Sequence, residues 1–142
     1  MTGTGDTTRA TAQEFLTRTA AGSPDHIAAL FAEKVDWLVA DNPTAPWIRP
    51  RSTREDVADH FRDLAACVTP APTGHTIDPL VVDGTEAILT GCLAGTVRAT
   101  GKSFRSPFAA RLTVENGLIT RYHVYEDSLA VAMACTPHAG CA

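Results

Sequence analysis

The chain has 142 residues, 44% of them apolar and 20% charged, which is one globular domain's worth with material for a proper core. Its net charge of −4 and pI near 5.6 come with no basic tract of the kind that binds nucleic acid, and no apolar run is long enough to cross a membrane. The N-terminus lacks the basic-then-apolar order of a secretory signal, so a cytoplasmic protein is expected, with Cys67, Cys92, Cys135 and Cys141 as free thiols.

A helical pattern runs from about Thr8 to Ala20, with Ala12, Phe15, Leu16 and Thr19 on one face, and Gly22 stops it. Ser23-Pro24-Asp25 restarts a helix, Ser23 as the cap and Pro24 in the first turn, with Ile27, Leu30 and Phe31 as the buried stripe. Val35 to Asp41 reads as a strand in which Val35, Trp37 and Val39 alternate with Asp36 and Leu38. Residues 42–51 hold Pro43, Pro46 and Pro50 and form a loop. Its Trp47 is expected to pack back over the end of a cavity. The arginines Arg49, Arg51 and Arg54 read as a solvated loop and helix start, or as an anion contact. Ser52-Thr53-Arg54-Glu55 fits a capping box with Ser52 as cap and Glu55 reaching back. The helix that follows runs to about Cys67, burying Val57, Phe61, Leu64 and Ala65, with His60 beside that face.

The remainder is β. Strands are expected at His75 to Val82, Thr85 to Thr100 and Ser103 to Glu115, turning at Asp83-Gly84 and Gly101-Lys102. Gly91 and Gly95 inside the second suggest bulges or sharp bending. Asn116-Gly117 is the strongest hairpin turn in the chain and leads into a last strand that carries His123, Tyr125 and Asp127 at every second position. Cys135, His138 and Cys141 have ligand-like spacing, but the sequence offers no paired motif for a fourth ligand, so a frayed tail and no metal are expected. Helices first and a meander of strands after give one α+β domain over residues 1–142, its ordered core at about 8–134.

A two-residue Asn116-Gly117 loop pairs Glu115 with Leu118. Counting outward without interruption, Leu112 faces Arg121, Ala110 faces His123, Phe108 faces Tyr125 and Ser106 faces Asp127. That count puts His123, Tyr125 and Asp127 on the apolar face of Phe108, Ala110, Leu112 and Val114. Burial there would raise the pKa of Asp127 and lower that of His123, which suits general acid–base work. Residues four apart on a strand are about 13 Å apart, so a carboxylate orienting His123 must come from another element, and Asp41 is the candidate. There is no Gly-x-Ser-x-Gly, no phosphate-cradling glycine loop and no dinucleotide fingerprint.

Several pieces in order resemble the nuclear-transport-factor-2-like superfamily, in its SnoaL-like, ketosteroid-isomerase-related branch. They are Phe15 to Gly22 followed by Asp25-His26-Ile27-Ala28-Ala29-Leu30-Phe31-Ala32, then Val35-Asp36-Trp37, Pro46-Trp47, Arg54 to Phe61, and Tyr122 to Ala132. The resemblance implies three N-terminal helices packed into a strongly curved antiparallel sheet, a cone with a cavity for a hydrophobic small molecule. It also implies a homodimer through the sheet's outer face. Enzymes of this kind include isomerases, polyketide cyclases, dehydratases and epoxide hydrolases, and other members only bind. Asp41 roughly matches the isomerase's base. Phe15 stands where that isomerase has its tyrosine, and Ser103 to Val114 contains no aspartate for its oxyanion hole. His123 and Asp127 resemble the acid–base set of the SnoaL-like cyclases, and Arg121 with Asp127 resembles part of the epoxide hydrolase constellation. Ile48-Arg49-Pro50 replaces the glycines frequent after the Pro-Trp pair.

The reading from sequence is a cofactor-independent acid–base enzyme, of cyclase, isomerase or dehydratase type, acting on a hydrophobic carbonyl-containing metabolite. Its expected catalytic residues are Asp127, His123, Asp41 and Tyr125. Its expected binding residues are Trp37, Trp47, Phe61, Phe108, Phe15 and Arg121. The alternatives are a non-catalytic protein binding a small molecule in the same cavity, and an epoxide hydrolase.

Overall fold

A computed structural model describes residues 3–71 and 76–137. It is an α+β fold in which helices pack on a strongly curled sheet. Helix α1 (Thr4–Ala21) ends where Gly22 takes the left-handed conformation, φ 83°, that glycine adopts without strain. Helix α2 (Pro24–Ala28) has Pro24 in its first turn as expected, while the Ser23 side chain makes no capping bond. Helix α3 (Arg54–Cys67) is capped one residue later than expected. Thr53 accepts from the Asp56 backbone N–H, and the Asp56 carboxylate accepts from the backbone of Thr53 and Ser52. The shorter aspartate reaches back because the cap lies three residues before it. No helix of the described residues is long and apolar enough to cross a membrane.

The sheet has the order β1-β7-β6-β5-β2, with two further short strands on β5. Strand β1 is Phe31–Val39, β2 is Val68–Pro70, β3 is Thr76–Ile77, β4 is Val81–Asp83, β5 is Glu86–Val97, β6 is Ser103–Glu115 and β7 is Leu118–Glu126. The sheet is not antiparallel throughout, since β1 runs parallel to β7 along the edge. The single strand expected over His75 to Val82 is two short ones, broken where Asp78-Pro79-Leu80 leaves the ladder; His75 lies outside the described residues. The interior glycines of β5 carry no bulge, and its pairing with β6 is continuous from Glu86 to Thr96. Gly91 instead admits a neighbouring backbone: a Cβ there would lie 2.1 Å from the Thr76 carbonyl oxygen.

The Asn116-Gly117 hairpin forms as expected, both residues with positive φ (53° and 74°), as a two-residue turn matched to the strand twist requires. The count from it does not continue. Val114 pairs with Ile119, but Thr113 pairs with Arg121, so Thr120 is an extra residue, a β-bulge. Every residue beyond it changes face. Leu112 faces Tyr122, Arg111 faces His123, Ala110 faces Val124, Ala109 faces Tyr125 and Phe108 faces Glu126. The physical reason is visible in the residues. The uninterrupted count would bury Arg121 opposite Leu112. The bulge turns that guanidinium outward and brings Tyr122 and Val124 into the core.

The last strand, expected to carry Asp127, stops at Glu126. A fourth helix, α4 (Ser128–Cys135), follows, with Asp127 as its cap accepting from the Ala130 N–H. Ala130, Ala132 and Ala134 suit a helix, and the capping aspartate stops the strand.

Two hydrophobic clusters result. The larger joins α1, α2 and α3 to the sheet through Phe15, Phe31, Val57, Leu89, Leu112, Ile119 and their neighbours. The smaller joins Trp47 and Ala45 of the loop to Val68, Val97, Val131 and Ala134. Helix α4 therefore covers one end of the curled sheet, with Trp47 packed beneath it.

Candidate functional site

The inner face of β7 carries Tyr122, Val124 and Glu126, and that of β1 carries Trp37 and Val39 beside them. Tyr122 sits in an aromatic nest. Its ring lies 4.7 Å from Trp37, 5.5 Å from Phe15 and 5.9 Å from Phe31, centroid to centroid. Phe61 meets Phe15 edge-on at 6.2 Å. These rings fill the end of the cone nearest α1 and α2. Burial, with the Glu126 charge as a lesser cause, pushes the Tyr122 phenol well above its ordinary range, so it stays a neutral hydroxyl.

His60 stands at the edge of this nest, buried, with its ring 4.8 Å from Trp37 and 5.0 Å from Phe61. Its Nδ1 is 3.2 Å from the Trp47 carbonyl oxygen. A carbonyl only accepts, so Nδ1 carries the proton and Nε2 is left as an acceptor. Arg51 donates to the same carbonyl at 3.1 Å and to Asp63 at 3.0 Å, which fixes the loop against α3. Burial pushes the His60 pKa down to about 4, against an opposing bond from the Trp47 carbonyl; the Arg51 charge lowers it further.

This has a consequence for stability. Above pH 6.5 the imidazole is neutral in both folded and unfolded chains. As pH falls from 6.5 towards 4 the unfolded chain binds a proton that the folded one does not. Stability is then lost over that window, by roughly 3 kcal/mol from this one group. His60→Gln, which keeps an N–H donor for the Trp47 carbonyl, is expected to flatten that part of the pH profile. Urea unfolding of both proteins at pH 7, 5.5 and 4.5 checks it.

Glu126 is the carboxyl on the inner face. It sits opposite Phe108 at the end of β7. Burial raises its pKa first and the neighbouring Asp127 charge raises it further, with no compensating hydrogen bond among the causes. The buried polar side chains around it serve the backbone. Ser106 accepts from the Asp127 N–H at 2.9 Å, and Asn42 donates to the Ser128 carbonyl at 3.0 Å. These two bonds hold the start of α4 in place without touching the carboxyl. At the ends of β1 and β7 a cleft of about 170 Å³ takes in Glu126 together with the outer-face residues Leu38 and Tyr125, and Ala40, Val124 and Ser128 complete its lining. That is below the roughly 300–1,000 Å³ of a usual small-molecule pocket.

The residues chosen from sequence fall into three groups. Trp37, Phe15 and Phe61 belong to the aromatic nest, Phe108 faces Glu126, and Trp47 is buried under α4. Asp41 and Tyr125 are exposed, Asp41 in the loop after β1 and Tyr125 on the outer face. His123 and Arg121 lie on that outer face too, contrary to the register expected from the hairpin. His123 Nε2 is 2.9 Å from Asp36, and Arg121 donates to Asp36 at 3.1 Å and approaches Glu86 at 3.5 Å. Arg111 pairs with the same Glu86. The His123 bond, then Arg121, holds the Asp36 carboxyl below its usual range.

Asp127, exposed, spends one carboxylate oxygen as the α4 cap. Asp127→Ala is expected to cost about 1 kcal/mol and Asp127→Asn, which also caps, under about 0.5 kcal/mol. Equilibrium urea denaturation distinguishes the two.

Sequence reasoning missed Glu126 and Tyr122 and gave His60 no role. The signal for the first two was present. Ile119 and Tyr122 are three apart and both apolar-facing, which breaks period-two alternation and marks a bulge. The Cys135-His138-Cys141 tail lies partly outside the described residues, and among those described no group of three metal-ligating side chains forms.

Residues 12–122 match the family model described as a SnoaL-like domain. No curated protein matches the sequence significantly. Among solved structures, an NTF2-like protein from Burkholderia xenovorans LB400 is 20% identical. There 93% of this chain aligns with 98% of that one, at a TM-score of 0.80. A putative isomerase from Bacillus subtilis is 18% identical over 93% and 94% of the two chains, at 0.72. A putative polyketide cyclase from Xanthomonas campestris pv. campestris is 16% identical over 94% and 100%, at 0.73. At these identities the neighbours establish the fold alone. The family match spans most of the sequence, and the curled sheet with its packed helices agrees with it: the chain belongs to the SnoaL-like family.

Proposed function

We propose that the protein is an acid–base enzyme, without a cofactor, that moves a proton on a small hydrophobic carbonyl compound in an isomerisation, cyclisation or dehydration. The observation that carries this reading is Glu126, a carboxyl raised by burial on an otherwise apolar inner face. A base poised upward towards neutral pH takes a proton from carbon more readily than an ordinary carboxylate, and its acid form returns it. Tyr122, kept neutral by burial, and His60, neutral with Nε2 unprotonated, supply polar contacts within the aromatic nest. Val124 and Ala40 supply apolar walls beside the carboxyl. In this reading the base is Glu126 rather than Asp127, whose carboxylate caps α4.

The test needs no knowledge of the net reaction. The protein is incubated in D2O with a panel of small aromatic and alicyclic ketones, and deuterium next to the carbonyl is read by mass spectrometry. Incorporation by the wild type and none by Glu126→Gln supports the reading. A ligand that binds the wild type and is recovered without deuterium contradicts it and favours a binding protein.

For assembly we propose a homodimer through the outer sheet face, supported by Leu38 and Tyr125, which are large, apolar and exposed there beside the Asp36–Arg121 pair. Light scattering after size exclusion would give twice the chain mass. Leu38→Glu would restore the monomer.

A further inference from the structure

The two helices that end over the small cluster both end in a cysteine. Cys67 is the last residue of α3, and Cys135 is the last residue of α4. Both are half-buried thiols packed against the same group of side chains, with Val68, Val97, Val131 and Ala134.

Their backbones are tied to one short piece of chain. The Cys67 carbonyl accepts from the Arg98 N–H at 2.9 Å, and the next residue, Val68, pairs with Val97. The Ala134 carbonyl, one residue before Cys135, accepts from the Thr100 hydroxyl at 2.5 Å, and the Thr136 carbonyl accepts from Lys102 at 2.6 Å. The turn between β5 and β6 thus holds the ends of both helices. Residues 68 positions apart in sequence are brought against one small cluster. Burial first, and the Cys67 charge second, raise the Cys135 thiol.

We propose that Cys67 and Cys135 form a reversible disulfide that fastens α4 to α3. The oxidant is a small disulfide of the glutathione type. One protein thiolate attacks it, giving a mixed disulfide and releasing one small thiol. The second protein thiolate then displaces the other small thiol. The protein loses two protons and two electrons, and the reagent becomes two thiols.

The cross-link has a consequence for the Glu126 cleft. Helix α4 begins two residues after Glu126 and covers the end of the sheet. Its start is held by single bonds from Ser106 and Asn42, and its far end by the turn. Fastening the far end restricts any opening of α4 that a ligand larger than the present cleft requires. This second step rests on the proposed role of Glu126. The cross-link itself does not.

The experiment uses the full chain incubated with oxidised glutathione at pH 8, alkylated, digested and mapped without reductant. The expected product is a Cys67–Cys135 peptide pair, with the intact mass lower by about 2 Da and the thermal midpoint raised by several degrees; dithiothreitol should reverse both. Cys67→Ser and Cys135→Ser should each abolish it, while Cys92→Ser should leave it intact. Because a buried thiol of raised pKa reacts through its thiolate, the rate should rise from pH 7 to pH 8.5. A disulfide of Cys135 with Cys141 instead, stable mixed disulfides at both positions, or unchanged thiols would overturn the proposal. Ketone binding at unchanged affinity and rate in the cross-linked protein would leave the disulfide standing and remove only its effect on the cleft.

Discussion

Glu126→Gln is expected to abolish proton transfer while making the folded chain more stable at neutral pH. The loss of activity should be on the order of 10²–10⁴-fold, the range that a positioned general base contributes. The gain in stability follows from the direction of the pKa shift. The folded protein holds the Glu126 proton to a higher pH than the unfolded chain, because burial and the Asp127 charge disfavour the carboxylate. Stability therefore falls as pH rises through the window between the unfolded and the folded pKa. At neutral pH the ionised carboxylate is the costly form, and glutamine removes the charge at nearly the same volume. Urea midpoints of wild type and variant at pH 4 and pH 7.5 should converge at the lower pH and separate at the higher. A residue with a merely structural role would lose stability on substitution, so the opposite sign is informative.

Inserting one alanine between Arg121 and Tyr122 is expected to be among the most damaging single changes in the chain, and deleting Thr120 among the milder ones. Beyond the insertion every residue of β7 changes face. Tyr122 and Val124 would leave the core, and His123 and Tyr125 would turn to the face of Ala110 and Phe108. Exposing two core residues while burying an imidazole taken from its Asp36 partner should cost more than about 4 kcal/mol, enough to abolish the cooperative transition. Deleting Thr120 removes only the extra residue, so Thr113 still faces Arg121 and Leu112 still faces Tyr122. It loses the local bulge and a long 3.4 Å hydroxyl contact to the Thr113 carbonyl, so about 1 kcal/mol is expected. Urea unfolding of the two variants separates them. A cooperative insertion variant with near-native stability would mean that the strand absorbs the added residue elsewhere.

These two expectations mark where the sequence could be read and where it could not. Local signals served well. Asn116-Gly117 set the hairpin, Ser103 to Glu115 alternated over its true length, and Gly22 and Pro24 bounded the first helices. The family pieces from Phe15 to Ala132 carried the fold. The sequence-level register failed because it assumed regular pairing over eight residues, and a bulge of one residue reverses every face beyond it. The end of β7 failed for a related reason. Asp127 was read as the next inward carboxyl, although an aspartate before Ser128-Leu129-Ala130 is a helix cap. Both errors lay in one stretch, and together they moved the candidate base by one residue, from Asp127 to Glu126. His60 needed tertiary contact to be seen at all, since its burial comes from Trp37, Phe61 and the Trp47 loop.

The central claim is that the Glu126 carboxyl stands on the apolar inner face and holds its proton there. Its titration by carbon NMR, with the resonance assigned through Glu126→Gln, tests this most directly. A midpoint clearly above the ordinary glutamate value of 4.5 is expected. A midpoint at or below 4.5 would place the carboxyl in water or against a cation, and would contradict both the face assigned to it and its role as the base.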